Sequence, residues 1–272
     1  QGRLSLAEET LQEVSGDVDE SGTPFALYIW GHIRHYQGRF QEADRLLDIC
    51  IAKCSQAGDL FSQANTQDRR ARVLCDLGQI EEASRLAQMS FDNMAELRDK
   101  IGRTSSALAL AEVALVSRQF DEAERLLAEC LVVASETGNE NIRVRSLRRR
   151  AWLDRSLGQL GSARQNYYAA YTLADKIGRY RERSYALIGL GQVTGELGEY
   201  DDALRFLRQG LEEAWDMGLM PQVVWAVMNY AALYIRSADP GEALGWLRVV
   251  ISHPASPAHI RDEALTLRAQ VA

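Results

Sequence analysis

Six alanines, Ala43, Ala83, Ala123, Ala163, Ala203 and Ala243, stand forty residues apart, each inside a version of one phrase. The versions run GRFQEADRLL, GQIEEASRLA, RQFDEAERLL, GQLGSARQNY, GEYDDALRFL and ADPGEALGWL. Twelve residues before each alanine the side chain is always small, as Gly31, Ala71, Ala111, Ala151, Gly191 and Ala231. Two residues further on it is always aliphatic, as Ile33, Val73, Val113, Leu153, Val193 and Leu233. A register kept for six cycles means copies of one unit, each burying its apolar face against the next. The length of 272 residues would by itself suggest two globular domains. The repeat predicts a single array instead.

Each cycle reads as two helices. Apolar residues recur at helical spacing in Leu27, Trp30, Gly31 and Ile33. Gly38, Gly78, Gly158 and Gly198 follow the first helix, and Gly58, Gly138, Gly178 and Gly218 follow the second, where a left-handed cap favours a residue without a Cβ. Asp121 and Asp201 are expected as N-caps of second helices. Two helices with short turns fill forty residues and leave no room for strands. A small side chain where two helices cross lets their axes approach closely, which accounts for the Gly31 and Ala43 registers as packing.

This pattern resembles the tetratricopeptide repeat family, in a 40-residue variety. Gly31 and Ala43 match the family's two small positions, and Gly38-x-Phe40-x-x-Ala43 matches its turn. The resemblance implies an all-α, right-handed α-solenoid of stacked helix-turn-helix units. They fall at 23–60, 61–100, 101–140, 141–180, 181–220 and 221–258, within one array spanning 1–272. Residues 1–22 read as the second helix of a partial unit, with Ala7 in the Ala43 register after a step of 36. Residues 259–272 read as the first helix of another, with 264–271 matching 26–33 if the preceding turn has lost two residues. Uncapped half-units, and a chain that opens on Gln1, point to a segment of a longer array. Units of this style resemble the sensor arrays of bacterial STAND-class ATPases and large LuxR-type regulators.

Composition narrows the remaining classes. No run approaches the roughly 18 apolar residues of a membrane span, and no basic-then-apolar leader opens the chain, so a soluble protein is expected. Four cysteines are too few for a disulfide framework at this length, and a cytoplasmic setting follows. A formal charge of -7 argues against nucleic acid as the partner. Only Lys53, Lys100 and Lys176 are lysine among 31 basic residues, and the arginine skew fits a GC-rich bacterial genome.

In the family that this chain resembles, first-helix residues facing away from the second helix line a concave groove that holds peptides. Carried over register by register, the groove presents Tyr28, His32 and His35 in the first cycle and Arg69, Arg72 and Asp76 in the second. The fourth cycle presents Arg145, Arg148, Arg149, Trp152 and Arg155; the fifth and sixth add Tyr185, Gln192, Trp225 and Asn229. The arginines and the tryptophan of the fourth cycle suit a carboxylate-rich or phosphorylated segment, through forked hydrogen bonds and stacking. They also suit a solvated face partly paired with Glu112, Asp154 or Glu182. On the first reading the groove is basic while the outside is acidic. Four of the arginines fill registers expected to face one open groove.

No catalytic motif appears: there is no phosphate loop after a strand, no GxSxG elbow and no HExxH pair. No enzyme activity and no cofactor are expected. His32, His35, Cys75 and Asp76 lie on neighbouring units separated by about a helix-pair width, roughly 10 Å, too far for shared metal ligation. A partner-binding module is the expected function, with a scaffold that self-associates through its uncapped ends as the alternative.

Overall fold

The computed structural model describes residues 21–237 and 240–271, and among them every regular element is a helix. In chain order these are α1 (Pro24–Tyr36), α2 (Phe40–Gln56), α3 (Leu60–Leu77), α4 (Ile80–Glu96), α5 (Lys100–Val116) and α6 (Phe120–Thr137). They continue as α7 (Glu140–Ser156), α8 (Leu160–Lys176), α9 (Tyr180–Glu196), α10 (Tyr200–Asp216), α11 (Met220–Ser237), α12 (Pro240–Ser252) and α13 (Ala258–Val271). The fold class is the all-α solenoid. The second helix read in residues 1–22, with its Ala7, lies outside the described residues.

Glycine chemistry sets the turns. Gly38, Gly58, Gly78, Gly138, Gly158, Gly178, Gly198 and Gly218 all adopt φ between 62° and 85°. Where the repeat lacks glycine, Arg98 and Arg118 are forced into the same region at φ 55° and 59°. A Cβ there meets the following carbonyl. Arg98→Gly is therefore expected to raise stability by about 0.5–1 kcal/mol, read as a higher urea midpoint at unchanged slope.

Side-chain caps sit on first helices. Thr23, Asp59, Asp99 and Asn139 accept from backbone N–H groups of α1, α3, α5 and α7 at 2.9–3.3 Å. Asp121 and Asp201 are not N-caps. α6 already begins at Phe120, and α10 begins at Tyr200 behind Glu199, which makes no capping bond. The chain passes from the left-handed glycine into the second helix within two residues, so the acids land in the first turn and favour the helix dipole.

The chain forms two compact units, Gln1–Leu126 and Leu127–Ala272. In the first unit, each helix packs on the next from α1 to α5, and first helices also pack on first helices, α1 on α3 and α3 on α5. Its core joins Ala71, Leu74, Ala83 and Leu86 to Ala109 and Val113, beside a cluster of Leu27, Trp30, Ile33 and Leu46. The second unit repeats the arrangement, with α7 on α9, α9 on α11 and α11 on α13. Ile188, Ala203, Leu207, Ala226 and Leu233 form one of its cores. All six register alanines are 0% exposed. A Cβ on Gly31 would lie 2.7 Å from Leu47 Cγ, and one on Gly191 2.6 Å from Leu207 Cγ, the same close crossing 160 residues apart.

The last helix keeps the forty-residue step. Ala264 is 0% exposed, in the register of Val224, while Leu265, which the shifted alignment matched to buried Leu27, is 37% exposed. No two residues are lost from the turn before it.

Candidate functional site

In the second unit, the inner faces of first helices converge on a cavity of about 50 Å³, room for a few waters or one short side chain. Arg148, Trp152 and Arg155 reach it from α7, where spacings of four and three put them on one face. Tyr185 and Gln192 come from α9, Trp225 from α11 and Tyr167 from α8. His259, Ile260 and Glu263 of α13 close the far wall, with Pro257 just before that helix and Pro221 at the start of α11. Six residues assigned to the groove, from four registers, thus meet in one place: Arg148, Trp152, Arg155, Tyr185, Gln192 and Trp225.

Stacked rings and guanidinium groups shape the walls. The Trp152 and His259 rings lie 5.3 Å apart, and those of Tyr185 and Trp225 5.6 Å. The Arg148 guanidinium sits 4.2 Å from the Tyr185 ring centre. Its Nε lies 3.3 Å from Glu182 Oε2, at ion-pair distance but without hydrogen-bond alignment. Arg155 donates to Glu196 from Nε at 2.9 Å and from a terminal nitrogen at 2.7 Å, and to Glu263 at 2.8 Å. With its carboxamide oxygen turned toward Arg155, Gln192 accepts at 3.0 and 3.3 Å. Burial alone would favour loss of the Arg155 proton, but Glu263 and Glu196 outweigh it, so its pKa rises and the charge is held.

The groove is therefore not the bare basic face of the expectation. Glu182, Glu196 and Glu263 neutralise it from neighbouring helices. Glu182 itself, buried and in the field of Arg181, Arg148, Arg145 and Arg149, is drawn down to about 2 although burial by itself would raise it. Arg149 does not face the groove. It is 1% exposed and donates to the Arg145 carbonyl at 3.3 Å, because it stands about 100° round the helix from Arg148. Asn229, in the same register two units on, is 3% exposed and donates to the Trp225 carbonyl at 2.9 Å.

Ser162, which replaces the acid common at its register, has a partner that explains it. Asp154, 0% exposed, accepts from Ser162 at 2.8 Å, from Asn166 at 2.7 Å and from Arg150 at 2.9 Å. In the first unit the same two registers hold Arg34 and Glu42, 3.5 Å apart. The acid has moved to the other helix.

The first unit pairs its groove residues with one another. His32 meets the Tyr36 hydroxyl at 2.7 Å, and the Tyr28 ring lies 5.9 Å from that of His32. His35 and Asp76, expected to be held apart by the step between units, meet at 2.8 Å because both side chains reach across it, and Arg69 lies 6.0 Å from the Tyr36 ring centre. Arg72 binds Asp68 at 3.1 Å and reaches Glu112 at 3.6 Å. His35–Asp76 and Arg155–Glu196 each span 41 residues and occupy the same two registers, one rung recurring in both units.

Tyr167 and the residues of α13 line the cavity although none was expected in the groove. Tyr167 left a signal: it stands where other cycles carry Leu or Ala, and Gly189 opposite makes room, since a Cβ there would lie 2.4 Å from its ring. Burial pushes its phenol up to about 12. His259 and Glu263 left none, because they reach α7 over more than a hundred residues.

No protein-family model matches the sequence, and no curated protein matches it. Solved structures do. A Rap protein complexed with competence and sporulation factor superposes with a TM-score of 0.75 at 15% identity, over 97% of this chain and 80% of that one. The fold is that of a tetratricopeptide-repeat solenoid. NprR in complex with its cognate peptide NprX superposes on this solenoid with a TM-score of 0.68 at 15% identity, over 99% of this chain and 82% of that one. A STAND protein with a tetratricopeptide repeat sensor from Pyrococcus horikoshii gives 0.56 at 16% identity over 91% of this chain. The solenoid spans 38% of that protein. Among the described residues no helix is long and apolar enough to cross a membrane.

Proposed function

We propose that this solenoid is a peptide-binding module, not an enzyme, with its binding face in the groove of the second unit, and that it serves as the sensing part of a larger bacterial regulator. The observation that carries the reading is the convergence of six groove residues from α7, α9 and α11 on one cavity walled by Trp152, Tyr185 and Trp225. Rigid aromatic walls give large contact area for little lost side-chain freedom, and stacked helices hold them in place before a ligand arrives. That NprR, of the same fold, is solved with a peptide supports the reading. Cys50, Cys54, Cys75 and Cys130 are all buried and outside any disulfide, which supports a cytoplasmic setting.

Affinity selection from a randomised heptapeptide pool tests this. Peptides enriched on the wild-type chain are expected to lose about 30-fold or more in affinity when Trp152 and Trp225 are both replaced by Ala, at unchanged helical circular dichroism. Equal binding by the folded double variant would remove the groove from the account.

A further inference from the structure

The carboxylate of Glu263 does not belong to the repeat. The rung between Arg155 and Glu196 has the same registers as His35 and Asp76, and in both one acid completes it. Glu263 is a second acid on Arg155, delivered from α13 across 108 residues. It is also the more accessible of the two, its side chain 32% exposed against 14% for Glu196. One turn earlier on the same helix, the His259 ring lies against Trp152. A carboxylate and a planar ring, four residues apart, thus sit on two of the three α7 side chains that line the cavity.

α13 seats Ile260 and Ala264 in the core and carries His259 and Glu263 to the cavity. Withdrawing Glu263 takes one carboxylate from a half-buried guanidinium, a loss that an incoming anion restores and a neutral ligand does not.

We infer that α13 is a built-in competitor, and that the groove takes a peptide bearing a carboxylate beside a ring, whose acid replaces Glu263 on Arg155 and whose ring replaces His259 on Trp152. This rests on the reading of the groove as a peptide site and adds the ligand chemistry and the regulation of that site. Apparent affinity is lowered by the fraction of molecules in which α13 covers the groove, so weakening the Glu263 contact tightens binding without adding any contact to the ligand.

Two heptapeptide pools separate the possibilities. Both carry a fixed Tyr, one with Glu at the variable positions around it and the other with Gln. The wild-type chain is expected to prefer the Glu pool by about tenfold, and Glu263→Gln to bind that pool about tenfold tighter than wild type. In the wild type, amides of residues 258–271 are expected to exchange faster with the Glu pool bound, a readout that holds even if the variant folds poorly. Equal binding of both pools, or α13 protection unchanged on binding, overturns this inference and leaves the peptide reading standing. Failure of both pools to bind either chain overturns both.

Discussion

Glu182→Gln is expected to destabilise the second unit by about 3–5 kcal/mol at pH 7, because it leaves several buried or half-buried arginines without their shared counter-charge. Glu182 is 6% exposed, ion-paired to Arg181 and Arg148, and lies in the field of Arg145 and Arg149. Burial pushes its carboxyl up, the arginines pull it down harder, and the outcome is about 2 against an ordinary 4.5. A depressed folded-state pKa contributes stability that is present in full above about 4.5 and is lost as pH falls toward 2. Urea melts of both chains at pH 7 and near pH 2 check this. The gap between them is expected to close at the acid end, and a gap that is the same at both pH values would show that the charge of Glu182 is not what holds the arginines.

The second large effect concerns the base of the cavity. Gly189→Ala drives a methyl to 2.4 Å from the Tyr167 ring, which is 2% exposed and hemmed in on every side but that of the small cavity it lines. Overpacking of this kind costs about 1–3 kcal/mol. Tyr167→Leu alone leaves a void beside Gly189 and costs a similar amount, about 2–3 kcal/mol. Made together, the two changes restore what other cycles carry, Leu as in Leu47 and Ala as in Ala109. The double variant is expected to recover about 1–2 kcal/mol relative to the sum of the singles, measured by denaturant melts in a double-mutant cycle. Simple additivity would mean that the two positions do not share the space.

The repeat was legible because its causes are local. Glycine at Gly38 and its equivalents ends a helix whatever surrounds it, and the positive φ forced on Arg98 and Arg118 shows that the turn needs that conformation even without glycine. The Ala43 register was legible because one close crossing recurs in every unit. For the same reason Arg148, Trp152 and Arg155 could be placed on a common face: spacings of four and three on a helix put residues together regardless of what lies opposite.

What lies opposite is what the sequence did not reveal. Whether Arg149 points into the groove or into the core depends on the turn of α7 against its neighbours, about 100° for a single residue. The two outcomes read alike in a string with arginine at 148, 149 and 150. The sign of the groove was hidden for a related reason. Charge is summed over space, and the acids that neutralise it, Glu182, Glu196 and Glu263, come from other helices.

By itself the sequence determined the helices, the glycine turns that end them, the forty-residue unit and the stripe of side chains each first helix offers. Periodic patterns follow from the geometry of one helix and its nearest partner. Only the tertiary structure decided that Tyr167 floors the cavity and that α13 brings Glu263 to Arg155. Those contacts join residues from separate helices, 108 apart in the second case, and no periodicity encodes a meeting that happens once.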